Sequence, residues 1–186
     1  MARELLDIVS RNRLVGIDVT CLPAKYHNTP SLIPDAVEER ILAQRQDYEH
    51  IFVAYGDCGT GGLLDVVLER HGVERLAGAH CYEFLAGASR FADLHDAEPT
   101  TFYLTDFLVR HFDRLVWKGL GLDRWPQLRD DYFGNYTRVV YLAQVHDPDL
   151  VARAAEAADR LGLAFVHEQV GYGDLEPVLI RQAAPV

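Results

Sequence analysis

Cys58 lies within Tyr55-Gly56-Asp57-Cys58-Gly59-Thr60-Gly61-Gly62, between the apolar run 51–54 and the helix-like run 63–68. The spacing sets a thiol in a glycine-rich turn at a helix start. Glycines permit positive φ and close backbone approach to a ligand, and a helix start offers unpaired N–H groups with partial positive charge. Such a place favours the thiolate, the form of cysteine that attacks carbon or binds a metal. Gly59, Thr60, Gly61 and Gly62 could instead cradle an anion. The turn has neither the lysine of a P-loop nor the Gly-x-Gly-x-x-Gly spacing, so it carries no nucleotide signature. Asp57 would repel an anion unless it faced away or held a cation.

The second constellation is His80-Cys81-Tyr82-Glu83-Phe84. Cys58, Cys81 and either His80 or His27 make a nitrogen–sulfur set of the kind zinc and other transition metals take, although the spacing matches no zinc finger or ribbon. In an extended segment His80 and Cys81 point to opposite sides, so both reach one metal only if the chain turns between them. His27 sits in a loop bracketed by Pro23 and Pro30 and titrates near neutrality, which suits a ligand or a proton carrier. Glu83, His27 and Asp57 are the candidate acid–base groups. Each residue also has a plainer use: buried thiol, hydrogen-bonded histidine, turn former.

Positioning these groups requires strands that alternate with helices. The spacing predicts helices over 2–13, 34–48 and 63–71, an amphipathic helix after Leu104, and one begun by Asp147-Pro148 and stopped by Gly162. Strands are expected at Val15–Thr20, Ile51–Tyr55, Glu74–Ala79, Thr100–Leu104, Thr137–Ala143 and Leu163–Val170. Residues 119–136, with three glycines and a proline, read as an irregular excursion. The pattern predicts a single α/β domain, a mostly parallel Rossmann-like sheet with helices on both faces. Ligands of such sheets bind beyond the carboxyl ends of the strands, where the polar clusters fall.

Composition narrows the classes. The chain has 186 residues, 49% hydrophobic and 25% charged, with a net charge of −10, which speaks against nucleic-acid or anionic-membrane partners. No run is long enough to span a bilayer, and the expected compartment is the cytoplasm. Three cysteines, Cys21, Cys58 and Cys81, give no disulfide framework.

The segments Leu22–Asn28, Tyr55–Gly62, His80–Phe84, Phe102–Phe107, Gly119–Arg124 and Tyr132–Tyr136 together resemble the domain-of-unknown-function 1638 family of bacteria and methanogenic archaea. The resemblance covers nearly the whole chain. It implies a setting in one-carbon metabolism, because the family's genes often lie near corrinoid-dependent methyltransferases and corrinoid proteins. Members usually begin with a further strand ending in Cys-Gly-Ala-Leu before Ala-Arg-Glu-Leu-Leu, whereas here Met1 directly precedes that segment. The resemblance therefore leaves two expectations: either the start is misassigned or truncated, or the chain lacks the family's first strand and its cysteine. If that cysteine is a ligand in relatives, the site here is incomplete, or Cys21 or a histidine takes its place.

The leading expectation is a metal-binding, zinc-class protein of corrinoid-linked methyl transfer, with Cys58, Cys81 and His80 as ligands and a small molecule or a corrinoid protein as partner. A metal-free enzyme with Cys58 as nucleophile and His80 or His27 as base is the alternative. An iron–sulfur cluster on the three cysteines ranks lower. A non-catalytic accessory protein would use the aromatic-rich stretch Trp117–Tyr136 as its contact surface.

Overall fold

Strand-sized apolar runs alternating with amphipathic stretches are satisfied by parallel strands joined through helical crossovers, and the chain adopts that solution. The computed structural model describes residues 2–183. Its strands form a two-stranded and a three-stranded parallel sheet flanked by helices, in two compact units. The first comprises residues up to Phe84 together with those from Asp174 onward; the second is Leu85–Gly173.

In the first unit, α1 (Ala2–Arg11) buries Leu5 and Ile8. The strand expected over Val15–Thr20 is absent, and the chain there runs without regular structure. Val15 is 87% exposed; β-branching favours a strand only where neighbours cover a pleated surface. Two short 3-10 turns, Ala24–Asn28 and Pro30–Leu32, lead into α2 (Ile33–Gln44). Strand β1 (Phe52–Val53) pairs in parallel with β2 (Glu74–Arg75), Phe52 opposite Glu74, and α3 (Leu63–His71) crosses between them. Ile33, Val37 and Ile41 of α2 pack on Leu64 and Leu68 of α3. Full burial of each such side chain contributes about 1.5–3 kcal/mol. Of the strand expected over Glu74–Ala79 only Glu74–Arg75 is paired, and helix α4 (Cys81–Ala86) follows.

The second unit holds α5 (Ala88–Ala97), β3 (Thr101–Thr105), α6 (Asp106–Arg110) and a π-helical turn, Asp113–Trp117. It continues with α7 (Leu128–Phe133), β4 (Arg138–Ala143), α8 (Pro148–Leu161) and β5 (Ala164–Gln169). The sheet order is β3-β4-β5, with Thr101 opposite Arg138 and Arg138 opposite Ala164. Central β4 is fully covered from Val139 to Ala143, as a continuous apolar strand requires. Asp147 starts α8 by accepting from the amides of Asp149 and Leu150, and Gly162 ends it at φ 73°. Its apolar face (Leu150, Ala154, Ala157, Ala158, Leu161) joins the core. The excursion at 119–136 contains α7 among turns.

The chain then returns to the first unit as α9 (Leu175–Gln182). Asp174 donates its amide to the Phe84 carbonyl at 2.7 Å, and Glu176 accepts from Arg11 and Asn12. Among the described residues no helix is long and apolar enough to cross a membrane.

Candidate functional site

The thiol turn is shaped by Asp57. Its carboxylate accepts from the Thr60 hydroxyl and from the amides of Gly61 at 3.1 Å and Gly62 at 2.9 Å. The Thr60 hydroxyl in turn accepts from Leu64 in the first turn of α3. These bonds, Thr60's first, hold the Asp57 carboxyl below its ordinary value. Gly59, Thr60, Gly61 and Gly62 do stand at a helix start, but the chain's own carboxylate fills the cradle an anion would need. Asp57 thereby serves as the clasp of the turn.

Cys58 itself has φ 48°, a left-handed conformation uncommon outside glycine and asparagine. Its amide donates to the Ala79 carbonyl at 2.8 Å, and that of Asp57 to the Gly78 carbonyl at 3.1 Å. The two bonds stitch the turn after β1 to the turn before α4. Gly56 makes the approach possible: a Cβ there would lie 3.3 Å from the Gly78 carbonyl and 3.5 Å from Cys58 Sγ.

The stitching brings Cys58 and Cys81 together. The Cys81 amide points at the Cys58 sulfur, and a charge on Cys58 acts directly on Cys81. Burial raises both thiols, Cys81 to about 12, with the Cys58 charge adding to the effect on Cys81. The protein alone therefore keeps both sulfurs protonated at neutral pH.

Tyr55 reaches the same place. Burial, and then the charges of Cys58 and Cys81, push its phenol up. His27 completes the group: Tyr55 Oη lies 2.9 Å from His27 Nε2, and His27 Nδ1 lies 3.3 Å from the Ala24 carbonyl. With Nδ1–H donating to Ala24, Nε2 accepts from the phenol. His27 is exposed at the surface, yet partial desolvation, opposed by the Ala24 contact, lowers it from its ordinary value, which favours the neutral imidazole.

The other expected residues are placed differently. His80 is exposed at the start of α4, its ring 6.4 Å from that of Tyr82. Glu83 turns back to accept the Ala79 amide at 2.9 Å, which fixes the strand-to-helix turn. Cys21 is exposed. Among the described residues no three His, Cys, Asp or Glu side chains converge as a metal site would. Reading the sequence left Tyr55 and Arg75 without a role. Arg75 grips Asp65 through two bonds and donates to the Leu76 and Gly78 carbonyls at 2.6 and 3.2 Å. It thus fixes the carbonyl that receives the Asp57 amide. An aspartate in the first turn of a crossover helix, ten residues before an arginine on the next strand, was the available signal.

A family model described as protein of unknown function (DUF1638) matches residues 21–179. The chain belongs to this family. The matched span takes in both cysteines of the pair, Tyr55, His27 and the whole second unit. No curated protein and no solved structure matches the chain.

Proposed function

We propose that Cys58 and Cys81 are the thiolate ligands of a zinc-class metal in a protein of corrinoid-linked one-carbon metabolism. The observation that carries the reading is their juxtaposition across the Cys58–Ala79 stitch, in the turns that follow two parallel strands. A soft divalent cation is the partner that two adjacent cysteines satisfy best. His27 is hydrogen-bonded to Tyr55, whose phenol feels the charges of both cysteines. The pair supplies two ligands; His27 or His80 turning onto it, or a thiol or amine of the substrate, completes the coordination. Bound there, the metal would supply Lewis acidity to a small thiol or amine that accepts or donates a methyl group. Family membership supports the corrinoid setting through the gene context that the resemblance carries.

The metal-free alternative needs Cys58 ionised near neutrality, whereas burial moves it the other way. Elemental analysis of the purified full chain tests the assignment. Near-stoichiometric zinc or another transition metal is expected, and Cys58→Ala/Cys81→Ala should lose it. Full occupancy in that variant, or a metal-free wild type that does not take up zinc, refutes it.

A further inference from the structure

The second unit carries a feature that the thiol pair does not use. Arg110 and Arg114 are four residues apart, on α6 and the π-helical turn; Arg153 and Arg160 are two turns apart on α8. All four line one cavity of about 220 Å³, with His111 beside them. Only two carboxylates, Asp113 and Glu156, share the lining, which leaves an excess of two positive charges in a chain of net charge −10. Arg160 is paired with Asp113 and Arg110 lies 3.9 Å from Asp147, so among the described residues Arg114 and Arg153 are the two arginines of the lining without a carboxylate partner. Such cations beside one hollow favour an anion between them.

The cluster is partly preorganised. Arg160 is held by Asp113 at 2.7 Å, with its guanidinium 4.2 Å from the Trp117 ring centroid and 5.3 Å from that of Phe112. Stacking fixes the plane of the fork while leaving its edge free for oxygen ligands. Arg153 donates through Nη2 to the carbonyls of Val109 and Arg110, which places it at the end of α6. Arg114 is exposed and makes no hydrogen bond or ion pair to any described residue. The π-helical turn that presents it is a rare distortion that often marks functional sites.

We propose that this cavity binds the phosphate group of a small molecule. A carboxylate offers two oxygens to one fork, whereas a phosphate offers three or more to several, which suits a hollow lined by several arginines, two of them, among the described residues, without a carboxylate partner. The volume lies below that of pockets for drug-sized ligands, so the cavity takes the phosphate end of a ligand or the free ion. This assignment is independent of the metal reading.

Calorimetry on the full chain, with ionic strength held constant by sodium chloride, tests it with two probes: inorganic phosphate and glycerol 3-phosphate. Saturable binding of at least one is expected, weakened by raising salt. Tighter binding of the ester identifies a metabolite phosphate as the ligand; tighter binding of the ion identifies free phosphate. Arg114→Gln should weaken binding several-fold and Arg114→Gln/Arg153→Gln about tenfold or more. If the double variant loses its native circular dichroism, Arg114→Gln alone decides. No saturable binding of either probe, or unchanged affinity in folded Arg114→Gln, overturns the proposal.

Discussion

Replacing Asp57 by alanine removes the acceptor for the Thr60 hydroxyl and the Gly61 and Gly62 amides in one step. A hydrogen bond to a carboxylate contributes about 1.5–3 kcal/mol net when sheltered, and less here because water can reach the opened turn. Loss of a helix-start acceptor alone costs about 0.5–2 kcal/mol. The expected cost is therefore about 2 kcal/mol, or about 4–8 °C in Tm for a chain of this length. Because the bonds depress the Asp57 carboxyl, their stabilisation is complete above the unfolded value of about 4. It is lost as pH falls through the folded value. Asp57→Asn keeps an acceptor but no charge, so its deficit should close as the wild type becomes protonated. Urea unfolding followed by far-ultraviolet circular dichroism at pH 7, 4 and 2.5 measures both effects. A deficit below about 0.5 kcal/mol at pH 7 in Asp57→Ala, or one in Asp57→Asn that stays constant across the series, would refute the clasp role.

Two further outcomes probe the second unit. Tyr141→Phe deletes the hydroxyl that donates to buried Asp106 Oδ1 at 2.7 Å, leaving that oxygen, among the described residues, with the Gln144 amide at 3.0 Å. A loss of about 1–3 kcal/mol is expected in urea, and an unchanged midpoint would count against the network. Gly162→Ala forces a side chain into φ 73° with only the flexible Arg129 guanidinium near the new methyl. The expected cost is about 1 kcal/mol, from backbone strain alone; a stabilised variant would contradict it.

Helix α8 was legible residue by residue, since Asp147-Pro148, the alanine–leucine face and Gly162 all agree on one local structure. Strand β4 was equally plain, because a run of consecutive apolar residues fits only a strand covered on both sides. Val15–Thr20 misled: its β-branched residues carry propensity, but strand formation needs a partner that the sequence does not name. The start of α4 went unread although Glu83 occupies the third helical position, where a returning carboxylate belongs. The nearness of Cys58 and Cys81 was an inference from their places after successive strands. The filling of the glycine cradle by Asp57 was hidden, because side-chain direction decides whether a carboxylate repels ligands or replaces them. The arginine hollow escaped notice because its members come from segments some forty residues apart, brought together by the β3–β4–β5 crossovers.

The first unit is discontinuous along the chain, with α9 supplied only after Gly173. During synthesis, Glu176, which accepts from Arg11 and Asn12, leaves the ribosome well after those two residues. The intervening unit has its own sheet and core and is fully translated before the earlier one can close. Where N-terminal portions usually mature first, the thiol-bearing unit cannot be complete until α9 has followed the whole of the second unit out.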